Sequence, residues 1–155
     1  MRKTLIATAL ALGLVAVPAT SAFATTDHRY VGIAKTTLTV TDSTAGSFTI
    51  DGTAKIRKIG AATVHGEGVR TDANSASYSL TITTASGDTI TTTNTANGLR
   101  AGRSGLFSGH TTITGGTGAY AGATGSARSL GVVKAIKATP GSFKAKVVFQ
   151  GTINF

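Results

Sequence analysis

The chain has 155 residues, 15 of them Lys or Arg and 6 Asp or Glu, for a formal charge of +9. That length suits one domain rather than two. Cys is absent, which excludes a disulfide framework and any Cys-based zinc site. A content of 41% hydrophobic and 14% charged residues excludes a disordered chain, and the dominance of Thr, Gly, Ala and Ser disfavours extensive helix.

The first residues read as an export signal. Arg2 and Lys3 form a basic start, and residues 5–17 form an apolar run too short to favour a membrane span. Pro18 breaks the run, and Ala22-Phe23-Ala24 is a small-residue cleavage site. Cleavage after Ala24 leaves 131 residues, and losing Arg2 and Lys3 lowers the net charge to +7. No Cys follows the apolar run, so no lipid anchor is expected. The expected location is extracellular, with residues 25–155 forming one domain whose core must suffice without disulfides.

Strands are expected near residues 30–40, 47–58, 61–70, 78–84, 88–95, 106–114, 119–130, 132–138 and 142–155. In the second of these, Phe48, Ile50, Ala54 and Ile56 take one face and Thr49, Asp51, Thr53, Lys55 and Arg57 the other. Tyr78, Leu80 and Ile82 alternate with Ser79, Thr81 and Thr83. Ala85-Ser86-Gly87 fits a three-residue hairpin loop with Gly87 at positive φ. That loop sets Ile82 opposite Ile90, both inward, and Thr84 opposite Asp88. The last strand alternates over its whole length. Phe143, Ala145, Val147, Phe149, Gly151, Ile153 and Phe155 face a core, while Lys144 and Lys146 mark the wet side. Eight or nine such strands with Gly-rich turns argue for an all-β barrel or sandwich, with mainly antiparallel pairing. A closed barrel is favoured, because so little Pro or edge charge protects an open edge.

Residues 113–125 read ITGGTGAYAGATG. Gly115 and Gly116 suit a tight turn into a strand, with Thr117 beside them. Gly118, Gly122 and Gly125 leave gaps where a strand bends or another segment approaches, and Tyr120 is the one bulky residue able to fill them. A phosphate cradle is disfavoured, since no helical pattern follows and no Lys holds the place a P-loop needs.

This stretch, GGTGAYAGATG, resembles the GGTG-x-F-x-x-A-x-G pattern of the dirigent and allene oxide cyclase-like barrels. Tyr120 stands where that pattern has an aromatic, usually Phe. The likeness is to the small secreted actinobacterial type, which also ends in an alternating strand with a G-T-I, here Gly151-Thr152-Ile153. It implies a closed, eight-stranded, antiparallel, calycin-like barrel. It also implies relatives that steer or catalyse cyclisation of hydrophobic small molecules. Their catalytic acids and polar pocket residues match no positions here, so no catalytic residue is assigned.

The residues themselves give little chemistry. His65 and Glu67 share a strand face and could do acid–base work or hold a metal, but with Val64 inward both point to solvent. His28 and His110 are isolated, and no G-x-S-x-G elbow is present. No metal or other cofactor is expected. Thr supplies 26 of the 131 residues, and Thr91, Thr93 and Thr95 line one outer face as good strand residues. The positive charge suits an anionic cell-wall or membrane surface, though the basic residues are dispersed and only Lys55, Arg57 and Lys58 cluster. No aromatics interleave with them, so no nucleic-acid partner is expected.

The expected function is therefore non-catalytic binding of an apolar small molecule or a cell-envelope component. A cyclase or isomerase acting on a hydrophobic small molecule is the alternative. Any cavity is expected beside Tyr120, with Tyr78 or Tyr30 as polar tips. The competing expectation is that Tyr120 simply plugs the gap left by its glycines. Neither the ligand nor the oligomeric state is readable from these residues.

Overall fold

Alternating Thr, Val and Ile, punctuated by Gly, Asn and Asp, yield strands joined by tight turns. The computed structural model describes residues 27–98 and 104–155. It contains β1 (His28–Asp42), β2 (Ser47–Ile56), β3 (Gly60–Arg70), β4 (Ser75–Thr84), β5 (Thr89–Asn97), β6 (Gly105–Gly116), β7 (Thr124–Ala135) and β8 (Ser142–Asn154). A single 3-10 turn, Gly118–Tyr120, lies between β6 and β7. The export signal, with Ala22 and Ala24, lies outside the described residues.

Each strand pairs antiparallel with its chain neighbours, and β1 pairs with β8 to close the barrel. This is the closed eight-stranded barrel that the GGTG resemblance implies. The hairpin at 85–87 has the expected register. Ile82 faces Ile90, Gly87 lies at φ +89°, and the Thr84 amide donates to the Asp88 carbonyl at 2.9 Å.

Two features of residues 113–138 differ from the expectation. The stretches 119–130 and 132–138 do not form two strands; β7 runs through both, from Thr124 to Ala135. Gly131 does not break it, because the Phe107 ring from β6 fills the space where a Gly131 Cβ would sit, 2.4 Å from Cζ. Residues 117–123 turn at the barrel rim and are not wall. Gly118 (φ +59°) and Gly122 (φ +74°) take the left-handed conformations that make this turn, while Gly115 and Gly116 finish β6. A bulge at Thr114 precedes them, since Thr91 pairs with Gly115 and Thr92 with Ile113. Gly125 does allow close approach: a Cβ there would lie 2.1 Å from the Thr152 carbonyl oxygen of β8.

The interior is packed by large side chains laid over small ones. Phe149 lies across Gly32, Leu80 across Gly66, and Tyr78 with Phe48 across Gly68. One rim carries His28, the 57–59 turn, the 85–87 loop, residues 117–123 and Phe155. The other carries the turns at 43–46, 71–74 and 136–141. Near the first rim the core is built from Tyr30, Ile56, Ile90, Ile113 and Ile153, with Phe149 packed against them. Near the second it is Phe48, Ile50, Ala76, Phe107 and Val133, with Tyr78 between.

Candidate functional site: the barrel interior

Alternation sends every second residue of each strand inward, so eight strands converge on one axis. They leave a cavity of about 110 Å³. Its wall is mainly Ile, Val, Leu, Ala and Phe. Seven polar residues also reach it: Tyr30, Thr36, Tyr78, Thr92, Asn94, Thr111 and Ser129. Among the described residues, the lining contains no Asp, Glu, His, Lys or Arg.

Three of the polar residues are tied together. Asn94 Nδ2 donates to Thr92 Oγ1 at 2.8 Å and to the Tyr78 carbonyl at 3.3 Å. The Thr111 hydroxyl donates to Asn94 Oδ1 at 2.7 Å. Asn94 is 4% exposed and Thr92 3%, so this network satisfies amide and hydroxyl groups that would otherwise be costly to bury. The Ile82–Ile90 register already places 92, 94 and 96 on the inner face, and that signal identifies Asn94 as interior although sequence reading passed over it.

The two tyrosines behave differently. Tyr30 leans towards Phe149, with ring centroids 6.0 Å apart, and Tyr78 towards Phe48 at 6.4 Å. Neither hydroxyl has a hydrogen-bond partner among the described residues, and burial alone pushes each phenol up to about 12. Both therefore stay neutral and keep a donor free inside a mostly apolar hollow.

Tyr120 is not among the cavity-lining residues. It sits half-buried at the first rim, its Cβ over Gly116, its ring edge-on to Phe155 at 4.9 Å. Burial, and then the nearby Asp88 charge, raise its pKa. The GGTG residues hold this segment in place. The Thr117 hydroxyl accepts from the Thr89 amide at 3.0 Å, and the Thr117 amide donates to the Thr89 carbonyl at 2.9 Å. A Cβ on Gly118 would collide with the Asp88 carboxylate. The motif thus docks the 117–120 turn onto the β4–β5 hairpin, and its contacts are with protein.

The other candidates lie outside the barrel. Val64 is buried, and His65 and Glu67 face solvent as the alternation requires. His65 Nδ1 donates to Asp51 Oδ1 at 2.6 Å, a cross-strand partner rather than Glu67. That carboxylate raises the His65 pKa, through the hydrogen bond first and its charge second. His28 stacks on Phe155 at 5.1 Å, and His110 Nδ1 donates to the Ala127 carbonyl at 3.1 Å. Among the described residues, no three His, Asp or Glu side chains gather as metal ligands.

No protein-family model matches the chain, and no curated protein matches it. Among solved structures, the chain is similar to the pterocarpan synthase dirigent protein GePTS1. That match has 11% identity and a TM-score of 0.49, and covers 84% of this chain and 86% of the other.

Proposed function

We propose that this is an exported barrel that binds a small apolar molecule bearing one hydrogen-bonding group, and releases it unchanged. The observation that carries this reading is the pair of unpartnered phenols, Tyr30 and Tyr78, in a cavity walled by hydrocarbon. A phenol hydroxyl on a hydrocarbon-walled hollow has a donor to offer, and a guest bearing an acceptor gains a hydrogen bond there that a pure hydrocarbon does not. The volume limits the guest. An engineered cavity of roughly 150 Å³ holds benzene, so about 110 Å³ suits one ring or a short alkyl segment. Cyclisation or isomerisation calls for a group that moves a proton or stabilises charge. The polar lining offers neutral phenols, hydroxyls and one amide, which favours binding over turnover.

Calorimetric titration of the barrel with cyclopentanone and with cyclopentane tests this. Both should bind, the ketone roughly three- to tenfold more tightly, as one net hydrogen bond provides. Tyr78→Phe together with Tyr30→Phe should erase the difference while leaving cyclopentane binding intact. Failure of either probe to bind saturably would overturn the reading. Mass spectrometry of protein recovered under native conditions from culture medium should show a retained small molecule.

A further inference from the structure

The outward positions of β6, β7, β8 and β1 carry a feature the interior does not explain. Leu130, Val148 and Ile33 are in register across three strands and are 63%, 48% and 45% exposed. Leu106 and Val132 are paired in the next row, and Val31 lies in the row on the other side. The result is a contiguous apolar area on a closed barrel wall, where solvent-facing residues are normally polar. Cations surround it. Val132 is opposite Lys146, which is opposite Lys35, and Ile33 is opposite Lys55. Lys134 pairs with Lys144 in the row beyond. All five lysines are exposed, and none forms an ion pair among the described residues. The one carboxylate in register with this wall, Asp51, is engaged by His65. From residue 89 to the end the sequence contains no Asp or Glu at all.

We infer that this wall docks on a bilayer of anionic phospholipid, with the lysines at the phosphates and Leu106, Leu130 and Val148 reaching into the acyl boundary. Charge decides between occupants. A second copy meeting this face through its own equivalent would set lysines against lysines, with Asp51, already engaged by His65, as the one acid in register. An anionic bilayer supplies both the negative charge and the apolar layer that the patch needs. This inference concerns the outer wall and does not depend on what the interior holds.

The barrel closes on residues 28–154 alone, so the chain from residue 25 onwards is the form to test. It should sediment with phosphatidylglycerol vesicles and stay in solution with phosphatidylcholine vesicles, and the binding should weaken as salt rises. Lys35→Glu with Lys146→Glu should lower the partition coefficient by roughly fivefold or more for each lysine lost. Leu130→Ser with Val148→Ser should also lower it, at unchanged charge. Both pairs are solvent-facing, and thermal melts matching the unaltered protein would show that the barrel is intact. Equal binding to both lipids would overturn the inference, and so would binding indifferent to the Leu130/Val148 pair. Light scattering that shows a dimer split by that pair, with no lipid binding, would assign the face to a second copy and likewise overturn it.

Discussion

His65 illustrates how much a single register position decides. Its neighbour in sequence, Glu67, is on the same strand face, but the antiparallel ladder puts Asp51 directly opposite, and the side chains of directly opposed residues are closest. The imidazole pKa is therefore raised. A folded-state pKa above the unfolded value means the pair favours the fold fully below the ordinary His range, near 6.5. That contribution is lost as pH climbs through the raised folded value. With both side chains about two-thirds exposed, at 65% and 64%, the effect on stability is small, and the titration itself is the better readout. Asp51→Asn should bring the His65 midpoint down towards the ordinary value, followed by ring-proton NMR across neutral pH. An unmoved midpoint would mean the 2.6 Å contact does not persist in solution. The interior is harder to read at this scale. Tyr78 and Tyr30 face inward by simple alternation. Nothing in the sequence says that Gly68 would lie beneath Tyr78, because that pairing depends on how far β3 and β4 are staggered.

Turn chemistry makes several elements legible in the sequence. Gly87 sets one hairpin, and with it the facing inward pair Ile82 and Ile90. Asp42 and Asp72 sit at turns, where backbone amides at Thr44, Ala45 and Asn74 donate to their carboxylates and hold both pKa values low. The segment after β6 was not legible in the same way. Its glycines are equally compatible with a bent strand and with a left-handed turn, and only the Thr117 contacts to Thr89 and the fit of Gly118 beside Asp88 select the turn. Tyr120 consequently sits at the rim as a half-buried cover. Tyr120→Ala should cost about 2 kcal/mol in a urea series, below the roughly 3–5 kcal/mol of a fully buried aromatic, because part of the ring already meets water. Affinity for a cyclic guest should not change. A loss of the larger size, with tighter binding of small apolar probes, would mean the ring reaches the cavity in solution.

For the molecule as a whole, seven of the eight ladders join strands adjacent in sequence, and the eighth joins β1 to β8. Strand direction follows from local pattern, but strand number does so less closely, since the two segments expected at 119–130 and 132–138 are one strand, β7. Closure is a property of the assembled sheet, visible in sequence only as a shortage of edge protection. The cavity is further removed again, since its volume is what remains after all the inward side chains have been placed. Closure carries a test. A chain ending at Gly141 lacks β8, and so leaves the Gly32, Ala34 and Thr36 stretch of β1 and the Val133 stretch of β7 as open edges. It should aggregate during purification where the intact chain stays monodisperse or forms one defined species by light scattering. A soluble, folded product would show that seven strands need no closing partner.

The stacking of His28 on Phe155 has a practical corollary. Rings 5.1 Å apart put the two ends of the barrel chain at one rim. A ring of neighbour-paired strands has no obligatory first member, so the polypeptide order is one of several cyclic orders compatible with the same hydrogen bonds. A few flexible residues bridging Phe155 to His28, with a new start cut into the exposed turn at 43–46, would keep all eight ladders. Such a permuted chain would begin at the opposite mouth. A reporter or tether could then be carried at either end of the barrel without crossing its wall.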